Sequence, residues 1–158
     1  MGLIMLKTDD TSLGVLNALL AICYDSQQGY EVAATDVTDP ELGRLFGELG
    51  AQRMMFGDEL AARIKTLRAE PRQRGTAMGE VHRAWLDFRA ANAQPQARAL
   101  LLECERAEVL AVRAYGAALK TPDVDEQTLK LIQRQYEQVQ LAHDRVRDLR
   151  DSPAYADR

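Results

Sequence analysis

The sequence predicts an all-α chain in which four long helices form a bundle, with a long crossover between the second and third that contains a short fifth helix. Three observations predict it. Apolar residues recur at alternating spacings of three and four, a period that no strand shows. Proline and glycine punctuate the 158 residues at Asp39-Pro40, Glu70-Pro71 through Gly75, Gln94-Pro95, Thr121-Pro122 and Ser152-Pro153, leaving five segments. Those segments run in the order two long, one short, two long.

The first helix is expected over about Thr11 to Thr38, where Leu13, Leu16, Leu20, Cys23, Gln27, Tyr30, Ala34 and Val37 form one seam. The second spans about Pro40 to Ala69 along Leu42, Leu45, Leu49, Gln52, Phe56, Leu60, Ile64 and Leu67, with Thr38 and Glu41 placed for a capping box. Its glycines at 43, 47, 50 and 57 each cost about 1 kcal/mol against alanine, which points to close helix approach or a partner subunit. A shorter helix over about Ala77 to Asn92 aligns Met78, Val81, Trp85 and Phe88. The fourth runs from about Gln96 to Lys120 on Ala97, Leu101, Cys104, Glu108, Ala111, Tyr115 and Ala118. The fifth, about Val124 to Asp151, reads Leu129, Ile132, Tyr136, Val139, His143 and Val146, with Asp123 and Glu126 placed to cap it. This element order is the ferritin-like arrangement of a bundle with one long crossover, with an up-down bundle as the alternative. The domain division expected is an N-terminal extension over 1–10, the bundle over 11–151 and a C-terminal tail over 152–158.

Composition narrows the function. Hydrophobic residues at 46% and charged ones at 28% are globular values, sufficient for a core without disulfide or metal staples. The 20 basic and 24 acidic residues leave a net charge of −4 with the signs interspersed, so no nucleic-acid or membrane partner is expected. The opening apolar run, Met1 to Leu6, is too short for a signal-peptide core, which leads to a cytoplasmic expectation. Cys23 and Cys104 have no short-range partner, fit a reducing compartment and read as buried hydrophobes. No Walker loop, dinucleotide fingerprint or local nucleophile motif occurs.

The seams carry four polar residues, Gln27, Gln52, Glu108 and His143. By helical rise, the first three lie roughly 16 to 20 Å from their nearer turn and His143 roughly 29 Å, so all four fit the middle third of the bundle. Two readings follow. In one they form a buried hydrogen-bond network that fixes helix register, and no cofactor is bound. In the other Glu108 and His143, helped by Glu105 or Asp144, hold iron or zinc. A di-iron centre of the carboxylate type needs Glu-x-x-His on two helices. The only histidines, His82 and His143, are preceded three residues earlier by Gly79 and Gln140, so that motif is absent. His82, one position off the crossover stripe, reads as a boundary histidine.

The run Leu16-Asn17-Ala18-Leu19-Leu20, then Gly29-Tyr30, Asp39-Pro40-Glu41-Leu42, Val81-His82-Arg83-Ala84-Trp85, Leu102 through Glu108, Arg134-Gln135-Tyr136 and Ala142-His143-Asp144-Arg145, resembles a bacterial, mostly proteobacterial, family of ferritin-like four-helix bundles of unknown function. The resemblance spans about residues 12 to 151. It implies the ferritin-like fold, a bacterial cytoplasmic origin and a stress-related role, and it implies no set reaction. Glu105, Glu108, His82 and His143 match the family pattern. The expectation is a non-enzymatic structural or interaction protein assembling as a homo-oligomer, since Met54, Met55 and Val109 exceed a single seam. A divergent metal-binding or weak oxidase bundle is the alternative.

Overall fold

A computed structural model of the chain describes residues 2–72 and 96–156. Four α-helices account for most of them: α1 Gly2–Asp36, α2 Pro40–Thr66, α3 Ala97–Leu119 and α4 Glu126–Asp151. No strand occurs among the described residues. The expected short helix over 77–92, its apolar stripe and His82 lie outside them.

Helix ends differ from the sequence expectation by local chemistry. Helix α1 begins at Gly2 rather than Thr11, so residues 2–10 continue the helix. The cap of α2 is Asp39, whose carboxylate accepts from the Glu41 and Leu42 amides, rather than a Thr38/Glu41 box. For α4 the cap is Asp125, which accepts from the Thr128 amide at 2.9 Å. Asp123 instead takes φ 64° in the preceding turn, a left-handed conformation that aspartate tolerates better than most residues. The C-terminal segment also packs: Tyr155 is buried and its hydroxyl donates to Asp39 Oδ2 at 3.0 Å.

Cross-helix contacts fix the topology. Tyr30 meets Glu108 and Cys23 meets Tyr115, so α1 and α3 are antiparallel. Glu48 pairs with Arg145 and Glu59 with Arg134, so α2 and α4 are antiparallel as well. Short turns at 37–39 and 120–125 join α1 to α2 and α3 to α4 as hairpins. Since Arg63 at the end of α2 bonds Asp125, just past α3, α2 ends and α3 begins a bundle length apart. At about 1.5 Å per residue that length is roughly 35 Å for the 23 residues of α3.

The apolar interior falls into two clusters. One holds Tyr30, Phe46, Leu49, Leu101 and Val146 near the α1–α2 turn, and the other holds Leu20, Phe56, Leu60, Ile132 and Val139 toward the α3–α4 turn. Between them in sequence on α2 and α3 stand Arg53 and Glu108, both buried, so the core is interrupted by a charged layer. A clasp closes the α3–α4 end. Arg63 donates to Asp125 Oδ1 at 2.7 Å and to the Thr128 hydroxyl at 3.0 Å, while the Asp125 amide donates to Ser12 Oγ at 3.0 Å.

Glycine spacing on α2 has several causes. A Cβ on Gly50 would stand 3.4 Å from the Tyr30 Cβ, the shortest of these approaches, and Gly43 and Gly57 would make contacts at 3.6 Å. At Gly47 a Cβ would meet nothing within 4 Å.

Candidate functional site

The charged layer is built from three helices. Arg53 of α2 donates from Nη2 to Glu108 Oε2 on α3 at 2.7 Å, and the Tyr30 hydroxyl of α1 donates to Glu108 Oε1. The ion pair is 1% and 0% exposed, so neither charge is screened by solvent. The Arg53 guanidinium also stands 5.9 Å from the Tyr30 ring centroid, and Tyr30 stacks on Phe46. Burial alone would lower the Arg53 pKa, but the Glu108 carboxylate more than reverses that and keeps the guanidinium charged. Burial, reinforced by repulsion from Glu108, pushes the Tyr30 phenol well up, so it stays protonated and donates. Among the described residues, Arg53 Nη1 and Ser26 Oγ are buried without a hydrogen-bond partner.

A second polar chain crosses the neighbouring core. Tyr115 donates to Gln135 Oε1 at 2.7 Å, which leaves the Cys23 thiol, 3.4 Å away, as donor to the Tyr115 oxygen. Gln135 Nε2 donates to the Phe56 carbonyl and to Glu59 Oε1, each at 3.3 Å. Burial pushes the Cys23 thiol up to about 11 despite the Tyr115 hydrogen bond, and burial pushes Cys104 well up too. Both cysteines are free and buried.

Of the residues expected from sequence, only Glu108 belongs to this interior. Gln52 sits at its edge, accepting from Arg53 Nε at 3.3 Å, and is half-buried. Gln27 is half-buried as well, and its amide donates along α1 to Glu31 at 3.0 Å. His143 lies on the rim between α3 and α4, with Nδ1 3.2 Å from Asp144 Oδ1 and Nε2 3.9 Å from Glu105 Oε1. Glu105 is itself paired with Arg150. The four-residue network of Gln27, Gln52, Glu108 and His143 is therefore not formed, and Glu108 and His143 have separate partners. The register explains it. On α4 the buried positions are Thr128, Ile132, Gln135, Val139, Ala142 and Val146, one residue from the sequence seam at every second step. On α2 the buried position is Arg53 instead of Gln52.

The donor set does not suit a metal ion. Both oxygens of Glu108 are committed, one to a guanidinium that already balances its charge and one to a phenol. Among the described residues, no group of three or more His, Cys, Asp and Glu side chains converges as a metal site would require. None of the described helices is long and apolar enough to cross a membrane.

Known structures share this architecture. A substituted Dps1 of Mycobacterium smegmatis aligns with TM-score 0.75 at 14% identity, covering 92% of this chain and 98% of that one. Dps from Thermosynechococcus elongatus aligns with TM-score 0.70 at 18% identity, covering 92% and 96%. A dodecameric thioferritin, the bacterioferritin-related protein of Bacteroides fragilis, aligns with TM-score 0.69 at 19% identity, covering 89% and 84%. These likenesses establish the ferritin-like fold. No curated protein matches the chain in sequence. The DUF2383 family, described as a domain of unknown function, matches residues 11–121, well over half of the chain. The protein is thus a ferritin-like four-helix bundle that belongs to the DUF2383 family.

Proposed function

We propose that this chain is a non-enzymatic, metal-free ferritin-like bundle that works as a homo-oligomeric structural or interaction protein. The observation that carries the reading is the Arg53–Glu108–Tyr30 layer. A fixed guanidinium supplies the positive charge that a carboxylate bundle otherwise takes from metal ions, so both Glu108 oxygens are partnered and its charge is balanced without one. Tyr30, Arg53 and Glu108 are buried from solvent, and a general acid or base has to reach a substrate.

Assembly is supported by large apolar side chains that the single chain leaves exposed, Met54 at 49%, Met55 at 53% and Leu141 at 61%. The Bacteroides neighbour, named as dodecameric, is an instance of this fold in an oligomer. A cytoplasmic location and a stress-related role complete the proposal, with no nucleic-acid or membrane partner.

Two measurements on the purified full chain test it. Light scattering across the micromolar range is expected to give a mass of at least two chains, and ferrous iron added in air is expected to be consumed no faster than in buffer. A monodisperse monomer contradicts the assembly, and iron consumption that scales with protein supports the rival reading of a divergent metal-binding or weak oxidase bundle.

A further inference from the structure

The outward face of α2 repeats at helical spacing just as its core face does. Arg44, Gly47, Ala51, Met54, Asp58, Ala62 and Lys65 follow one another at steps of three and four, and all are exposed. Ala51, Met54 and Met55 give this face an apolar centre, with Arg44 and Asp58 one on each side of it. Two features make it self-complementary. Gly47 and Met55 lie four residues either side of Ala51, and Arg44 and Asp58 lie seven residues either side of it.

We infer that α2 packs antiparallel against α2 of a second copy of this chain, on a two-fold axis through Ala51; the inference deepens the homo-oligomer proposed above and rests on it. In that register Met55 of one copy seats over Gly47 of the other, and Arg44 faces Asp58, with every contact made twice as a two-fold requires. Gly47 supports the pairing independently. It weakens the helix by about 1 kcal/mol against alanine, yet within the chain a Cβ there meets nothing within 4 Å. A notch for a methionine of another copy accounts for it. Among the described residues neither Arg44 nor Asp58 has an ion-pair partner within the chain, so both charges remain for the contact. The ion pairs Glu48–Arg145 and Glu59–Arg134 set Leu141 of α4 level with Gln52, which widens the apolar centre beside Ala51. Stable interfaces bury about 800 Å² per partner. The 27 residues of α2 offer a face roughly 40 Å long, so the flanking Leu141 surface is needed to approach that area.

Ala51→Cys tests the axis, because the residue on a two-fold is the one that meets its own copy. Mild oxidation of the full chain is expected to give a covalent dimer on a non-reducing gel; Cys23 and Cys104, being buried, stay silent. Ala62→Cys is the control. Eleven residues from the axis, its two copies stand about 33 Å apart and are not expected to cross-link. In sedimentation velocity, Arg44→Asp and Asp58→Arg are each expected to weaken the assembly several-fold, and the double exchange to restore it. An oligomer in which Ala51→Cys fails to cross-link, or Ala62→Cys cross-links equally, overturns this register and leaves the assembly standing. A monomer at every concentration overturns both.

Discussion

Replacing Glu108 by Gln keeps the shape of the side chain and removes its charge. The Tyr30 hydroxyl retains an acceptor, but Arg53 keeps a full positive charge at 1% exposure with no counter-charge. Its remaining bonds offer little relief, since Nε reaches Gln52 at 3.3 Å and Nη1 has no partner among the described residues. Breaking a buried ion pair from one side costs about 3–5 kcal/mol. For a chain of this size each kcal/mol lowers Tm by roughly 3 °C, so Glu108→Gln is expected to melt about 9–15 °C below the parent in calorimetry. An apolar triple, Tyr30→Phe, Arg53→Met and Glu108→Leu, removes all three polar partners together. It is expected to melt near the parent or above it, because replacing a buried pair by well-packed apolar residues is neutral or stabilising by about 1–4 kcal/mol. A loss of under about 3 °C for Glu108→Gln would show that the layer is hydrated and would sink the reasoning.

Other expectations follow from the same structure. Burial holds the Cys23 thiol up at about 11 and pushes Cys104 well up, so neither should react with a thiol reagent at neutral pH until the protein unfolds; fast labelling of the native chain contradicts that packing. Burial pushes Asp125 up, but hydrogen bonds from Thr128 and Ser12 and the Arg63 guanidinium outweigh it and leave the carboxyl below its ordinary value. A depressed folded pKa stabilises above the ordinary carboxylate range and ceases to as pH falls through it, so Asp125→Asn should lower Tm at neutral pH and converge with the parent in acid. A Tm difference that persists or grows in strong acid would assign the effect to something other than the charge.

Much of the fold was legible in the sequence because the spacing of three and four and the proline breaks are local signals. The seam of α3 was read in register, and Glu108 is buried as its place there requires. The other long helices drift. Along α1 the buried positions pass from Leu16, Leu20 and Cys23 to Ser26, Tyr30 and Ala33, one residue short of the sequence seam at Gln27 and Ala34, so Gln27 is left half-buried. On α4 the alternative seam through Thr128, Gln135 and Ala142 shares Ile132, Val139 and Val146 with the one read from sequence. Hydropathy favours Leu129 and Tyr136 over Thr128 and Gln135, so only the tertiary packing decides. His143 moved to the rim for that reason.

Arg53 was the residue that sequence reasoning missed, and a signal for it existed. A glutamate on a core seam has to be paired, and Arg53 is the cation beside the α2 seam at the level of Glu108. Apolar periodicity cannot make that match, because the two charges lie 55 positions apart and meet only through the crossover topology. Asp125 was missed differently. Its capping role depends on the left-handed turn at Asp123, a backbone choice that the sequence between Pro122 and Glu126 leaves open.

The most direct test of the central claim is the metal content of the purified, untagged chain after incubation with ferrous iron, zinc and manganese, beside a Glu108→Gln, His143→Gln double variant. If Arg53 holds the place of a cation, elemental analysis finds no stoichiometric metal in either protein. One metal ion per chain in the parent, lost from the variant, would contradict it.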